Sequence, residues 1–125
     1  QLAREKSEMR VVDDQRGRPT YAGDLAELIR RLISEPAPDD VRRYGVHHAC
    51  GGRPVSRREF AQTIVDRAFQ HGLLDRRIRI IPIKTEDYPT KARRPLNSIL
   101  EPTNALAGNA QFSFDWEAGL ERVLV

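Results

Sequence analysis

The chain reads as an α/β fold with an incomplete sheet and helices packed on it. Three observations predict this. Apolar runs at strand spacing alternate with runs at helical spacing. Only three or four short strands are legible, too few for a free-standing doubly wound sheet. With 125 residues, there is material for one modest core.

The elements follow in order. Residues 1–7 have the composition of a helix end, and Met9-Arg10-Val11-Val12 is a short β-prone run stopped by Asp13-Asp14. Gly17 and Pro19 make the next segment a loop, and Thr20 is placed to cap the helix behind it. Tyr21, Leu25, Leu28, Ile29, Leu32 and Ile33 recur at helical spacing, which predicts a helix to about Ser34, ended by Pro36 and Pro38. Residues 35–43 are a polar connector. Gly45 to Cys50 is expected to be a strand, turned by Gly51-Gly52. Ser56-Arg57-Arg58-Glu59 spells a capping box, with Phe60, Ala61, Ile64, Val65, Ala68 and Phe69 as the apolar face and Gly72 past the helix end. Ile78 to Ile83 is a strand whose Pro82 lacks an amide proton, which fits an edge or a strand end. Residues 85–97 form an irregular loop, and Asn97 to Leu100 is expected as a brief strand. A last helix starts near Asp115 and carries Trp116, Leu120, Val123 and Leu124 on one face.

Composition narrows the function. Hydrophobic residues at 39% and charged residues at 31% describe a soluble globular chain. No apolar run approaches the roughly 20 residues that cross a bilayer, so no membrane role is expected. Gln1 to Lys6 has neither an initiator Met nor an apolar signal core, which reads as a fragment entered midway. A single cysteine, Cys50, excludes an internal disulfide and points to a reducing, cytoplasmic setting with a buried, inert thiol. The net charge of +3 is spread over helix faces without a stripe of aromatics and arginines, so no nucleic-acid partner is expected.

Several chemistries are disfavoured by pattern. There is no G-x-G-x-x-G; Gly51-Gly52 follows a strand-like run but lacks the third glycine and reads as a turn. No tyrosine has a lysine four residues on: Leu25, His48 and Ala92 follow Tyr21, Tyr44 and Tyr88. His47 and His48, as strand neighbours, face opposite sides and cannot chelate one ion together. No catalytic residue and no metal ligand is therefore assigned. Two segments remain. Asp14, Gln15 and Arg16 stand where a strand gives way to a helix, a usual ligand position in α/β folds, although aspartates also organise turns. Arg93-Arg94-Pro95 puts two arginines in a proline-stiffened loop, with Asn97 and Ser98 as neutral partners; this suits a phosphate, although a surface basic pair is the commoner meaning of such a sequence.

Taken in order, Asp13 to Thr20, Asp24-Leu25-Ala26, His48 to Ala61, Arg93 to Leu100, and Trp116 with Leu120 resemble the C-terminal half of the dTDP-4-dehydrorhamnose reductases, a branch of the extended short-chain dehydrogenase/reductases. The likeness spans nearly the whole chain. Two departures stand out: Arg57 and Arg58 follow the capping Ser56 where many relatives have an aromatic, and Glu101 replaces an Asp after Leu100. The resemblance implies the C-terminal part of a Rossmann-like fold, with residues 1–125 as the nucleotide-sugar part and the dinucleotide-binding part absent. It implies NADPH- or NADH-dependent reduction of dTDP-4-dehydro-L-rhamnose to dTDP-L-rhamnose, a precursor of cell-surface polysaccharide. It places the cofactor, the Tyr-Lys pair and its neighbouring Thr in the other half, leaves this chain inactive alone, and leaves a homodimer open. By that likeness Arg93 or Arg94 contacts the substrate diphosphate, with Gln15 and Asn97 on the substrate side. It also implies that the strand at Val46 to Cys50 joins the parent's sheet, so the isolated chain exposes an edge and is sticky. Two other readings share the resemblance: a non-catalytic regulatory relative, as in the regulatory subunit of methionine adenosyltransferase, and a reductase of another nucleotide-sugar.

Overall fold

The computed structural model describes residues 6–34, 45–102 and 114–125. The chain runs through β1 (Glu8–Val12), β2 (Arg16–Gly17), α1 (Ala22–Ser34), β3 (Val55–Ser56), α2 (Arg57–Gln70), β4 (Arg79–Ile83), a 3-10 turn (Thr85–Asp87) and α3 (Trp116–Leu124). β1 and β4 pair in parallel from Glu8↔Arg79 to Val12↔Ile83. β2 and β3 form a second, antiparallel pair.

The parallel pair carries the main core. Val65 and Ala68 of α2 pack on Ile80 of β4, with Leu74 and Ile78 closing the connection and Met9, Val11, Phe69 and Leu124 at its rim. Each of the Val, Leu and Ile side chains contributes about 1.5–3 kcal/mol on full burial. The amide of Arg79 bonds Ser7 and the amide of Asp13 bonds Ile83, so the odd residues of β4 face β1. Pro82 therefore turns its missing donor away from β1, to an edge that no other strand pairs with among the described residues.

α2 begins and ends as its sequence dictates. Ser56 Oγ accepts the Glu59 amide at 3.0 Å, and Glu59 takes the Ser56 amide at 2.7 Å. At the other end Gly72 has φ +70°, its amide bonds Phe69, and the Leu73 amide bonds Ala68. This pair of bonds satisfies carbonyls that the last helical turn leaves free.

Four expectations need correction or trimming. Gly45 to Cys50 has no strand pairing among the described residues, and Val46 is 86% exposed. Its apolar alternation has no neighbouring strand here to bond. Thr20 does not cap α1: its hydroxyl accepts the Gly51 amide at 2.9 Å, while the carbonyl of Tyr21 takes the first helical bond, from Leu25. Asn97 to Leu100 contributes one bridge, Arg16↔Asn97, and no longer strand. Lys6 and Ser7 are not helical, and the rest of the first segment lies outside the described residues. So does the connector at 35–43.

Candidate functional site

Two adjoining cavities lie beside the end of β1 among the described residues, and a third, lined by Asp13, Asp14, Glu86 and Asp87, opens toward the turn after β4. Of the adjoining two, the larger, about 800 Å³, runs between the β2–β3 pair, the start of α1 and the face of α3. Phe60, Ile64, Leu120 and Val123 give it an apolar wall. Trp116 closes its floor, 4% exposed and edge-on to Phe60 with ring centroids 5.4 Å apart. Its charged lining is Arg16, Arg18, Arg57 and Arg94, without one carboxylate. The smaller cavity, about 270 Å³, is lined by Arg10, Arg57 and Arg94 with Tyr88 and Thr90, again without a carboxylate. Gln15, Arg57 and Arg94 line both and so stand on the wall between them.

The arginines differ in what else they hold. Arg18 is committed within the chain: Nη2 donates to both oxygens of Glu101 at 3.1 Å, and Nη1 donates to the carbonyls of Gly51 and Gly52. Arg57 uses only Nε, which donates to Gln15 Oε1 at 2.6 Å. Arg10, Arg16 and Arg94 have no hydrogen-bond or ion-pair partner for their side chains among the described residues. The positive charge open to a ligand is thus on Arg10, Arg16, Arg57 and Arg94.

The predicted site residues separate accordingly. Gln15 is 7% exposed, and both ends of its amide are used: Oε1 by Arg57, and Nε2 by donation to Thr85 Oγ1 at 3.0 Å. Thr85 in turn donates to Asp14 at 2.6 Å through its hydroxyl and at 3.0 Å through its amide. These bonds hold the Asp14 carboxyl below its ordinary value, the side-chain bond most of all. Arg94 lines both cavities, whereas Arg93 lines neither. Asn97 also lies outside both linings, and its Oδ1 accepts the Ile99 amide at 3.0 Å. Ser98 lines the larger cavity and donates to the Arg16 carbonyl. Arg57 carries no role by its sequence motif; its one signal is that it stands where many relatives have an aromatic after the capping serine.

A dinucleotide cradle at Gly51-Gly52 does not fit. The Gly51 amide donates to Thr20 and the Gly52 amide to Phe114, at 2.9 Å each, so neither is open to a pyrophosphate. A Cβ on Gly51 would meet the carbonyl of Pro19. The pair serves a close backbone approach instead. Cys50 is buried, with its thiol donating to the Leu100 carbonyl at 3.4 Å. Among the described residues no group of three His, Cys, Asp or Glu side chains is placed to hold a metal ion, and no helix is long and apolar enough to cross a membrane.

A family model described as the RmlD substrate binding domain matches residues 1–125. The chain belongs to that family. Members resembling it include a dTDP-4-dehydrorhamnose reductase from Aggregatibacter actinomycetemcomitans, 34% identical over 98% of this chain and 42% of the relative. One from Escherichia coli is 32% identical over 98% of this chain and 40% of the relative. The solved dTDP-4-dehydrorhamnose reductase of Bacillus anthracis in complex with NADP superposes at a TM-score of 0.77 with 32% identity, over 97% of this chain and 39% of that one. The enzyme of Clostridium acetobutylicum gives 0.75 with 28% identity, over 97% and 39%. This RmlD substrate binding domain thus spans about two-fifths of the relatives it matches, and its α/β fold is that of part of a Rossmann-like reductase.

Proposed function

We propose that residues 1–125 hold the thymidine diphosphate-sugar of a dTDP-4-dehydrorhamnose reductase. One observation carries this reading: in a member of the RmlD substrate binding family, a large groove combines an apolar, partly aromatic wall with open arginines and no carboxylate. A thymine base, with its methyl group, suits the apolar wall, and a diphosphate suits guanidinium groups that can each bind two oxygens. The volume lies in the usual range for small-molecule sites.

In this reading Arg94, rather than Arg93, contacts the diphosphate, since it alone of the two lines the groove. Gln15 acts from behind the surface, and Asn97 shapes the loop that carries Ser98. The parent reaction is reduction of a 4-keto sugar. NADPH or NADH supplies the hydride when bound, by polypeptide outside residues 1–125 that also provides the proton-transfer pair. This chain's own part is to bind and orient the nucleotide-sugar, in the cytoplasm, and by itself it is inactive.

Calorimetric titration tests the reading. A thymidine diphosphate-sugar is expected to bind, and to bind more tightly than its uridine or guanosine counterparts. Preference for one of those counterparts replaces the sugar-nucleotide assignment. Absence of any nucleotide binding, together with tight association to a protein, moves the role to a regulatory subunit.

A further inference from the structure

We propose that Arg57, aimed by Gln15, forms with Arg94 a two-arginine clamp on the diphosphate at the wall between the two cavities. This rests on the nucleotide-sugar reading above and adds to it a residue and a means of positioning.

Arg57 and Arg94 are the only charged residues that line both cavities. A diphosphate carries charge on two phosphorus centres, so two guanidinium groups can neutralise it more fully than one. Arg57 is free to do so. Its Nε is tied to Gln15, and among the described residues its two terminal nitrogens have no partner. The tie fixes a long side chain whose freedom would otherwise oppose ordering on a ligand.

The tie is itself anchored. Gln15 is buried, its backbone carbonyl takes the Arg57 amide at 3.0 Å, and its Nε2 is held by Thr85, which is held by Asp14. The segment after β1, the turn after β4 and the start of α2 therefore meet in one hydrogen-bonded thread that ends on the Arg57 guanidinium. The Asp14 carboxylate terminates that thread away from the ligand side: it is absent from both cavity linings and does not oppose the anion. Gln15 is a positioning residue in this arrangement, and Arg57 a contact.

The protein, shown to be folded by a cooperative melting transition, is titrated with thymidine diphosphate, thymidine and inorganic pyrophosphate. Arg57→Gln is expected to weaken thymidine diphosphate and pyrophosphate by about ten- to a hundred-fold, the range for a lost charge-assisted contact, and to leave thymidine unchanged. Gln15→Leu is expected to weaken the same two probes, less so, and to add nothing on top of Arg57→Gln. Full retention of thymidine diphosphate affinity in Arg57→Gln overturns the clamp and leaves the nucleotide-sugar reading standing. Pyrophosphate binding that depends on Arg57, with no gain from the nucleoside, keeps the clamp and overturns that reading. Failure of the folded wild-type protein to bind either phosphate probe overturns both. Equal additive losses in the double variant overturn the positioning role of Gln15, and Arg57→Lys, which keeps charge without the fork, separates charge from geometry by an intermediate affinity.

Discussion

The hydroxyl of Ser56 donates to Asp13 Oδ1 at 2.6 Å while accepting the amide of Glu59 at 3.0 Å. One oxygen thus caps α2 and fastens its start to the end of β1. Both jobs fall on a residue that is 3% exposed, so removing its hydroxyl breaks two bonds at once.

Ser56→Ala is therefore expected to cost about 2 kcal/mol, at the upper end of the range for an N-cap. Urea denaturation measures it. Ser56→Thr, which keeps the hydroxyl, is expected to recover most of the loss.

Gly72 sits at φ +70° with open space around its α-carbon. Gly72→Ala meets no neighbour, so its penalty is purely conformational, about 1 kcal/mol. A loss near zero in thermal melting would show that the helix ends differently in solution.

Two carboxyls report on pH. Arg30 and Arg31 hold the Glu27 carboxyl down, from 4.5 to about 2, and Thr85 holds Asp14 below 3.8. A depressed folded value means that the stabilisation is complete above the unfolded value and fades as pH falls through the folded one. The Glu27 ion pairs therefore stand in full above about pH 4.5 and are lost on acidification toward pH 2. Both side chains are solvent-facing, so the energetic effect is small and the titration itself is the readout. Side-chain carboxyl NMR is expected to show Thr85→Val raising Asp14, and Arg30→Gln raising Glu27.

Ile29 and Ile33 on α1 are 50% and 79% exposed, and Val46 is 86% exposed. An isolated chain is expected to self-associate through such surface. Ile33→Glu together with Val46→Asp should reduce light scattering at a given concentration while leaving the melting temperature within about 2 °C, since neither side chain is packed. Unchanged scattering would locate the stickiness elsewhere.

Much of this was legible in the sequence because the signals are local. The capping box at Ser56, the end at Gly72, the proline edge at Pro82 and the apolar face of α2 each follow from spacing within a few residues. The misses are those decided by distant partners. Val46 to Cys50 has the composition of a strand, but a strand needs a neighbour. Thr20 has the chemistry of a cap, but the Gly51 amide competes for its hydroxyl. The site divides in the same way. Arg94 was visible as half of a basic pair in a proline-held loop, while only the fold tells it from Arg93. Arg57 was visible only as an oddity after a capping serine, since its link to Gln15 crosses two elements.

The parallel pairing of β1 with β4 has a consequence for how the protein is made. β1 is synthesised before its strand partner β4, which lies beyond α1, β3 and α2. This pairing of β1 with β4 is non-local and forms only after β4 has been made. The thread from Asp14 through Thr85 to Arg57 closes only once Thr85 has followed β4, well after Arg57 itself has been made. A stalled or truncated product ending before β4 would hold every residue of the Ser56 cap and still present Arg57 without the turn that anchors Gln15.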